Sequence, residues 1–224
     1  MIHRIKLSDR VLPAYSFAEE LTNTLTHAFG ALFGAAALVF CVLRAAAHRD
    51  LLQVIAACIY GLCMVALYCV SSIYHGLRPG MGKKVMQVVD HCTIYLLIAG
   101  SYTAVSLTAL VPVYPGLAWG MVAFQWSLAV VAIVLTAIDL RAFRVFSMVC
   151  YIGMGWAIVP FMKQIHQVLG PEGFRLLLAG GIAYTLGAIF YGIGSKCRWI
   201  HSLFHVFVVL GSVLQFFAIY FYAI

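Results

Sequence analysis

The sequence predicts an all-α integral membrane protein, a bundle of seven transmembrane helices that forms a single domain over residues 1–224. Hydrophobic residues make up 64% of the 224 residues and charged residues only 9%. A soluble domain is about 45–50% apolar and about 25% charged. Seven separate segments are also long and apolar enough to cross the hydrocarbon core, which takes about 20 residues of helix. The composition therefore excludes a soluble globular domain.

The seven predicted spans follow one another along the chain with short connections and no long soluble segment. They cover approximately residues 21–43, 51–74, 86–111, 116–138, 145–162, 174–193 and 200–224. Most prolines fall between or before spans, and Pro160 falls near the end of one, which is typical of continuous helices. The glycines of "GALFG" (Gly30 and Gly34) and of "GG" (Gly180 and Gly181) predict close contacts between helices.

The basic residues predict the orientation of the bundle, because cytoplasmic loops are enriched in Lys and Arg. The N-terminal segment and the even-numbered loops hold Arg4, Lys6, Arg10, Arg78, Lys83, Lys84, Arg141, Arg144, Lys196 and Arg198. The odd-numbered loops hold Arg44, Arg49, Lys163 and Arg175. The N-terminus is therefore predicted in the cytoplasm and the C-terminus outside. Short scattered basic loops favour anionic lipid headgroups as partners and do not suggest nucleic acid; the oligomeric state stays open.

Polar side chains within the spans are predicted to gather near the inner membrane face. Ionisable groups inside spans are costly and mark functional sites. His27, His75, Asp90, His201 and His205 all lie at span ends that this orientation places on the cytoplasmic side. The alternative is a set of unrelated interfacial residues that reach for water. A cluster of His and Asp differs from the Lys, Trp and Tyr that interfaces usually collect.

The first span begins with "EELTNTLTH", in which Glu20, Asn23, Thr24 and His27 share one helical face. A helix cap with acidic residues at the positive end of the dipole is the alternative interpretation. That interpretation explains Glu20 but not His27, which lies two turns further along. Glu20, Asn23 and His27 are therefore candidates to support a site.

Two further motifs supply polar groups to the same depth. In "SSIYH", Ser71 and His75 lie one turn apart, although such a serine is often an ordinary packing hydroxyl. Asp90 and His91 are adjacent and point about 100° apart, so one centre is not expected to hold both. Asp139, by contrast, is predicted to be solvated beside basic residues of its loop.

The last span opens with "HSLFH", in which His201 and His205 project from one face one turn apart. Together with His75 they predict a metal site, with zinc as the expected ion. Three imidazoles and a water are typical of catalytic zinc, which lowers the pKa of bound water to about 7. Asp90 could then act on that water, and Ser71 could hydrogen-bond either the reacting group or Asp90. A structural zinc, with Asp90 or Cys197 as fourth ligand, is the alternative.

Ser71-x3-His75, then Asp90, then His201-x3-His205 resembles the three-part pattern of the CREST superfamily of membrane hydrolases. Within it the chain resembles the bacterial hemolysin III branch of the PAQR family, relatives of the adiponectin receptors. The resemblance implies seven helices with a cytoplasmic N-terminus in the bacterial inner membrane. It also implies zinc held by the three histidines, with Asp90 near the bound water, and ceramidase-like hydrolysis of lipid amides. Ile200, Phe204 and Ala104 depart from residues common in the family.

Three functions are consistent with the sequence. The first is a zinc-dependent hydrolase of a lipid amide or ester. The second is a membrane sensor or regulator of lipid composition, without enzymatic activity, in which zinc is structural. The third is a pore-forming haemolysin, which the sequence supports least because the spans beyond the inner cluster carry no charged residues to line a path.

Overall fold

The computed structural model describes residues 6–194 and 197–224, so Arg4 and Lys196 of the charge count lie outside the described residues. The described chain folds into seven α-helices and contains no β-strand. The helices are α1 Phe17–Ala47, α2 Leu51–Gly76, α3 Met81–Val105, α4 Pro115–Ile138, α5 Arg144–Gly155, α6 Met162–Ile193 and α7 Ile200–Ala218. Short π-helical turns extend α3 through Leu110 and α7 through Ala223. The fold class is therefore all-α, as predicted.

Local sequence signals set several of the helix starts. Ser16 and Glu19 form a capping box at the start of α1, in which each side chain accepts a hydrogen bond from the other residue's backbone N–H. Asp50 caps α2 through the backbone N–H groups of the next turn. Pro115 occupies the first position of α4, where its missing N–H costs nothing. These residues define where the helices begin.

Six helical stretches of the described chain are long and apolar enough to cross a membrane. The fifth and sixth predicted spans fall together in one of them, the 50-residue stretch Arg144–Ile193. Within it α5 has only 12 residues, followed by a 3₁₀ turn at Val159–Phe161. The helical geometry breaks again at Gly170, whose φ of 67° lies in the left-handed region. Pro171 follows that break and so lies within α6, not before it.

Two groups of buried side chains hold the bundle together. The larger draws on α1, α2, α3, α4, α6 and α7. The smaller joins α3, α4 and α5 through a few residues such as Tyr95 and Met154. Two of the helices that contribute to the larger group, α2 and α7, also carry the predicted metal ligands.

Small residues allow the helices to approach closely, as the sequence predicted for three of four glycines. A Cβ atom on Gly30 would lie 2.5 Å from the ring of Tyr68, and one on Gly34 would lie 3.2 Å from a methionine side chain. Gly180 likewise has no room for a side chain against α7. The prediction was wrong for Gly181, which has nothing within 4 Å of its Cβ position and lines a cavity instead.

Asp139 is buried, with only 1% of its side chain exposed, so the prediction of a solvated residue was wrong. Its carboxylate accepts hydrogen bonds from the backbone N–H groups of Arg141 and Ala142 at 3.0 Å. Arg10 covers it from the N-terminal side, 3.9 Å away, and also donates to the carbonyl of Ile138. We call residues 6–16 the N-terminal strap. This strap brings a basic partner from a distant part of the sequence, which local sequence could not reveal.

Candidate metal centre

Three imidazoles converge at one end of the bundle. His75 lies in the last turn of α2, while His201 and His205 lie in the first two turns of α7. The Nε2 atom of His201 is 3.4 Å from that of His75 and 3.2 Å from that of His205. One ligand atom from each residue lies within 4.8 Å of the others. This group could hold a metal ion.

The burial of the three rings favours a metal over mutual hydrogen bonds. His75 and His205 are only 2% and 1% exposed. A neutral imidazole has one donor and one acceptor nitrogen, so three converging nitrogens cannot all find partners among themselves. A cation accepts a lone pair from every one of them at once. The donor set therefore fits a divalent metal that prefers nitrogen ligands.

Helix α1 supplies no nitrogen to this group, yet it contacts each of the two ligand-bearing helices. Glu20 accepts a hydrogen bond at 2.6 Å from Nδ1 of His75. Its other oxygen lies 2.6 Å from the ammonium of Lys83 at the start of α3. A carboxylate on the far nitrogen fixes the tautomer of a metal-binding imidazole and directs the near nitrogen toward the metal.

The next turns of α1 contact the second ligand-bearing helix. Asn23 is fully buried, and its side-chain oxygen accepts a hydrogen bond at 2.7 Å from Ser202. Ser202 lies between the two histidines of α7. The ring of His27 packs on that of His205 with 3.8 Å between centroids, and meets Tyr68 edge-on. The polar stripe of α1 therefore runs alongside the three imidazoles.

The N-terminal strap closes over His201 from the other side. The ring of Tyr15 stacks on that of His201, with 4.8 Å between centroids and 16° between planes. Burial raises the pKa of the Tyr15 phenol well above its usual range, and neighbouring groups including Glu20 raise it further. The phenol therefore stays neutral at physiological pH. Glu19 accepts a hydrogen bond at 2.8 Å from the backbone N–H of Trp199, which fixes the start of α7.

Asp90 and Ser71 form part of the wall of a cavity of about 140 Å³. The Asp90 carboxylate lies close to Ser71 and His75. The rest of the wall is mainly apolar and comes from α2, α3, α5, α6 and α7. His27 also reaches this wall and packs on His205, although the three converging imidazoles do not line the cavity themselves.

Other residues considered at the sequence level lie elsewhere. His91 lies outside the group of converging ligand atoms; its Nδ1 is 2.8 Å from the carbonyl of Gln87 and 3.8 Å from the Asp90 carboxylate, and its Nε2 is 2.9 Å from the hydroxyl of Tyr191. Cys197 is exposed and lies outside the group of converging ligand atoms, as does Asp90. Sequence reasoning missed Lys83 and Tyr15 as neighbours of the site. In the sequence, Lys83 was counted only as one of the basic residues of a loop, and no local pattern distinguishes it from Lys84.

Comparison with known proteins identifies relatives along almost the whole chain. Residues 15–216 match the family model described as Haemolysin-III related. Hemolysin-3 of Bacillus cereus is 38% identical over 92% of this chain and 92% of its own length. The Hemolysin-3 homolog of Bacillus subtilis (strain 168) is 34% identical over 94% of this chain and 97% of its own length. The Monocyte to macrophage differentiation factor of Homo sapiens is 27% identical over 99% of this chain and 91% of its own length.

No solved structure matches the chain at a significant level. The family match extends from the strap residue Tyr15 through α7, so it includes all three converging histidines and the whole of the polar stripe on α1. Two relatives exceed 30% identity over nearly their full lengths. The chain belongs to the haemolysin-III related family of membrane proteins.

Proposed function

We propose that the protein is a zinc-dependent hydrolase that cleaves an amide or ester bond of a membrane lipid. The observation that carries the proposal is the convergence of three imidazoles beside an apolar cavity whose wall includes a carboxylate, Asp90, and a hydroxyl, Ser71. Hydrolytic zinc sites combine three protein ligands with an open position and a nearby carboxylate. An apolar cavity of this kind suits an acyl chain.

Zinc is the ion that the donor set fits best. Three neutral imidazoles without a thiolate or a ligating carboxylate are typical of catalytic zinc. When bound, zinc would polarise a carbonyl and make a water molecule nucleophilic near neutral pH. His75, His201 and His205 would hold it. The remaining chemistry falls to the other side chains of the site.

Asp90 and Ser71 are assigned the chemical roles in the proposed reaction. Asp90 would orient the attacking water and take its proton, because a carboxylate in a low-dielectric site is an effective base. Ser71, which lies close to Asp90, would hydrogen-bond the carboxylate and hold it in one orientation. Glu20, Asn23 and His27 would keep the imidazoles in place. The apolar part of the cavity would bind the lipid chain and exclude bulk water.

The proposed site lies near the cytoplasmic face of a seven-span bundle in the bacterial inner membrane, with the C-terminus outside. The break at Gly170 supports two crossings within Arg144–Ile193, one before and one after it. Seven crossings place the chain ends on opposite sides. The basic residues near the same ends of α2, α3 and α7 support the cytoplasmic assignment and contact with anionic headgroups.

The first experiment is the metal content of detergent-purified protein, wild type beside His205→Ala, by elemental mass spectrometry. We expect one zinc per chain in the wild type and a sharp loss in the variant, since one of three ligands is removed. Elution volume on size exclusion controls for folding. A well-folded wild type that takes up no zinc, even when the ion is supplied, would contradict the proposal.

The second experiment tests the assignment of Asp90. We expect Asp90→Asn to keep zinc and fold but to lower turnover of a fluorescent ceramide or fatty-acid ester by roughly 10²- to 10⁴-fold, the contribution of a positioned acid–base group. Asp139→Asn provides a matched control, because Asp139 is a buried carboxylate outside the site. Full activity in Asp90→Asn would show that Asp90 is not the base.

A non-enzymatic regulator with structural zinc is the second candidate. It is favoured by the contact between His75 of α2 and His201 of α7, two residues that are 126 positions apart in the sequence. An ion between them would pin α2 to α7. This candidate predicts zinc in the purified protein. It also predicts no turnover of any lipid amide or ester, both in the wild type and in Asp90→Asn.

Pore formation is the third candidate, and the names of the two Bacillus relatives favour it. Purified protein in liposomes would then release an entrapped dye or conduct ions. We expect no such release, because the cavity wall is mainly apolar and, among the described residues, Asp90 is its only acidic or basic residue apart from His27.

A further inference from the structure

Lys83 is a buried lysine whose hydrogen bonds are all directed at the elements that carry the metal centre. It lies in the first turn of α3 and is only 4% exposed. Its ammonium donates to Glu20 at 2.6 Å and to the carbonyls of His75 and Leu77 at 3.2 and 3.0 Å. An ammonium has three donors, so these contacts use its full capacity. The ring of Tyr74, 5.3 Å away, adds a cation–π contact.

The location of this lysine needs a specific reason. The N-terminus of a helix carries a partial positive charge, which disfavours a cation there. Burial of an ammonium is unfavourable as well, unless it is paired and hydrogen-bonded. Lys84, the next residue, does not share this environment and donates to the carbonyl of Ser8 in the strap. The acceptors around Lys83 therefore offset both penalties.

Glu20 connects Lys83 to the imidazole of His75. One carboxylate oxygen lies on the ammonium and the other on Nδ1 of His75, both at 2.6 Å. With its two oxygens held in this way, the carboxylate has a fixed plane. Because a carboxylate only accepts hydrogen bonds, Nδ1 of His75 carries the proton, and the amide of Asn23, 3.5 Å from the same nitrogen, is the weaker contact. In the neutral ring this leaves the lone pair on Nε2, which lies 3.4 Å from Nε2 of His201.

We propose that Lys83 is a positioning residue of the metal centre that acts through Glu20 to hold His75 in its metal-binding tautomer. The inference rests on the zinc site of the proposed function. Lys83 touches no ligand nitrogen, so its effect on zinc is indirect. The positive charge of Lys83 alone would disfavour a bound zinc ion, whereas its hydrogen bond to Glu20 favours zinc binding. The positioning effect is the larger, because the charge is separated from Nε2 by the carboxylate and the ring.

The test is zinc affinity, measured by competition with a chelator on the purified full-length protein. We expect Lys83→Met and Glu20→Gln each to weaken zinc binding by roughly 10- to 100-fold, as loss of a group behind a metal ligand does. The double variant should be no weaker than Glu20→Gln, because Lys83 acts through that carboxylate. Lys83→Arg, which keeps charge and donors, should recover part of the affinity. Lys84→Met, with the same charge change one residue away, should bind zinc as the wild type does.

A second measurement reports on His75 without any metal. In ¹⁵N-histidine-labelled, metal-free protein, the wild type should show His75 protonated at Nδ1. Lys83→Met should show a mixture of the two neutral tautomers. If Lys83→Met fails to fold, Lys83→Gln takes its place, since it keeps one donor and a similar length.

Several outcomes would overturn the inference. Tighter zinc binding in Lys83→Met would mean that charge repulsion dominates. If Lys83→Met binds zinc with unchanged affinity but melts at a lower temperature, Lys83 only stabilises the end of α2 through its carbonyls. If the losses of zinc affinity add up in the double variant, Lys83 does not act through Glu20. If the wild type binds no zinc, both this inference and the proposed metal centre are wrong. If it binds zinc but hydrolyses no lipid, only the proposed reaction is wrong.

Discussion

Gly30 shows how a single residue couples helix packing to the candidate site. It lies on the buried face of α1 against the ring of Tyr68, which is itself fully buried. That ring meets His27 edge-on, and His27 packs on His205. Any atom added at Gly30 must displace a ring that has no free space around it. The absence of a side chain at this position therefore keeps α1 close enough to support the histidines.

We expect Gly30→Ala to lower the free energy of unfolding by about 1–3 kcal/mol, the usual cost of overpacking a tight core. Thermal unfolding in detergent measures it. Gly120→Ala in α4 is the matched control, because nothing lies within 4 Å of its Cβ position. That control should be neutral or slightly stabilising, since alanine has the higher helix propensity. Equal melting temperatures for the two variants would mean that Tyr68 adapts freely.

Single residues also show what local sequence could and could not predict. The one-turn spacing of His201 and His205 predicted that both rings would face one centre, since helix geometry alone dictates it. The burial of Asp139 was missed because its partner Arg10 comes from the strap. Lys83 was missed for the same reason, as its acceptors lie on α1 and α2. Partners that depend on tertiary structure leave no local signal.

At the scale of elements, α2, α6 and α7 are tied by hydroxyl groups inside the apolar core. Tyr68 of α2 donates to Ser212 of α7 at 2.6 Å, and the hydroxyl of Tyr184 of α6 lies 2.7 Å from the same oxygen. Tyr68 also reaches the carbonyl of Val208. Buried hydroxyls without partners are costly in an apolar environment. Ser212 therefore acts as a shared acceptor and donor for three helices.

We expect Ser212→Ala to cost about 1–3 kcal/mol of stability, because it leaves two buried phenols without their common partner. Adding Tyr184→Phe should cause less further loss than Tyr184→Phe alone causes in the wild type. Chemical denaturation of the three variants in mixed micelles gives this coupling. Strictly additive losses would mean that the two phenols find other partners.

Helix boundaries were predictable to the extent that hydropathy and capping residues define them. The predicted first, second and fourth spans coincide with α1, α2 and α4, although α1 begins earlier and ends later. The region 144–193 was less predictable, because its breaks depend on backbone geometry at Gly170 and on a 3₁₀ turn. Hydropathy reports where apolar residues are abundant and does not report where a helix bends.

At the scale of the whole molecule, the candidate metal centre joins α2 to α7, two helices that lie far apart in the sequence. We expect zinc to raise the melting temperature of the metal-free protein, by an amount that corresponds to about 2.7 kcal/mol at a hundredfold excess over Kd. Magnesium, which prefers oxygen ligands, should have no such effect. His205→Ala should lose the response to zinc. A wild type insensitive to zinc would contradict an ion shared by α2 and α7.

The orientation of the bundle is open to a separate test. We expect a fluorescent protein fused to the C-terminus to stay dark in bacteria and an alkaline phosphatase fused there to be active, because seven crossings carry that end outside. Truncation of the fusion after Arg144, past four crossings, should reverse both results. A fluorescent full-length fusion would mean an even number of crossings.

The division of the candidate ligands between α2 and α7 has a consequence for biogenesis. A ribosome delivers α1 and α2 to the membrane long before it reaches the motif at His201 and His205. The nascent chain therefore carries Glu20, Lys83 and only one of the three candidate ligands, His75, until α7 is made. The site becomes complete only when the last helix inserts and packs against α1. A metal held by all three histidines would then be acquired late, and it would mark a chain whose insertion is finished.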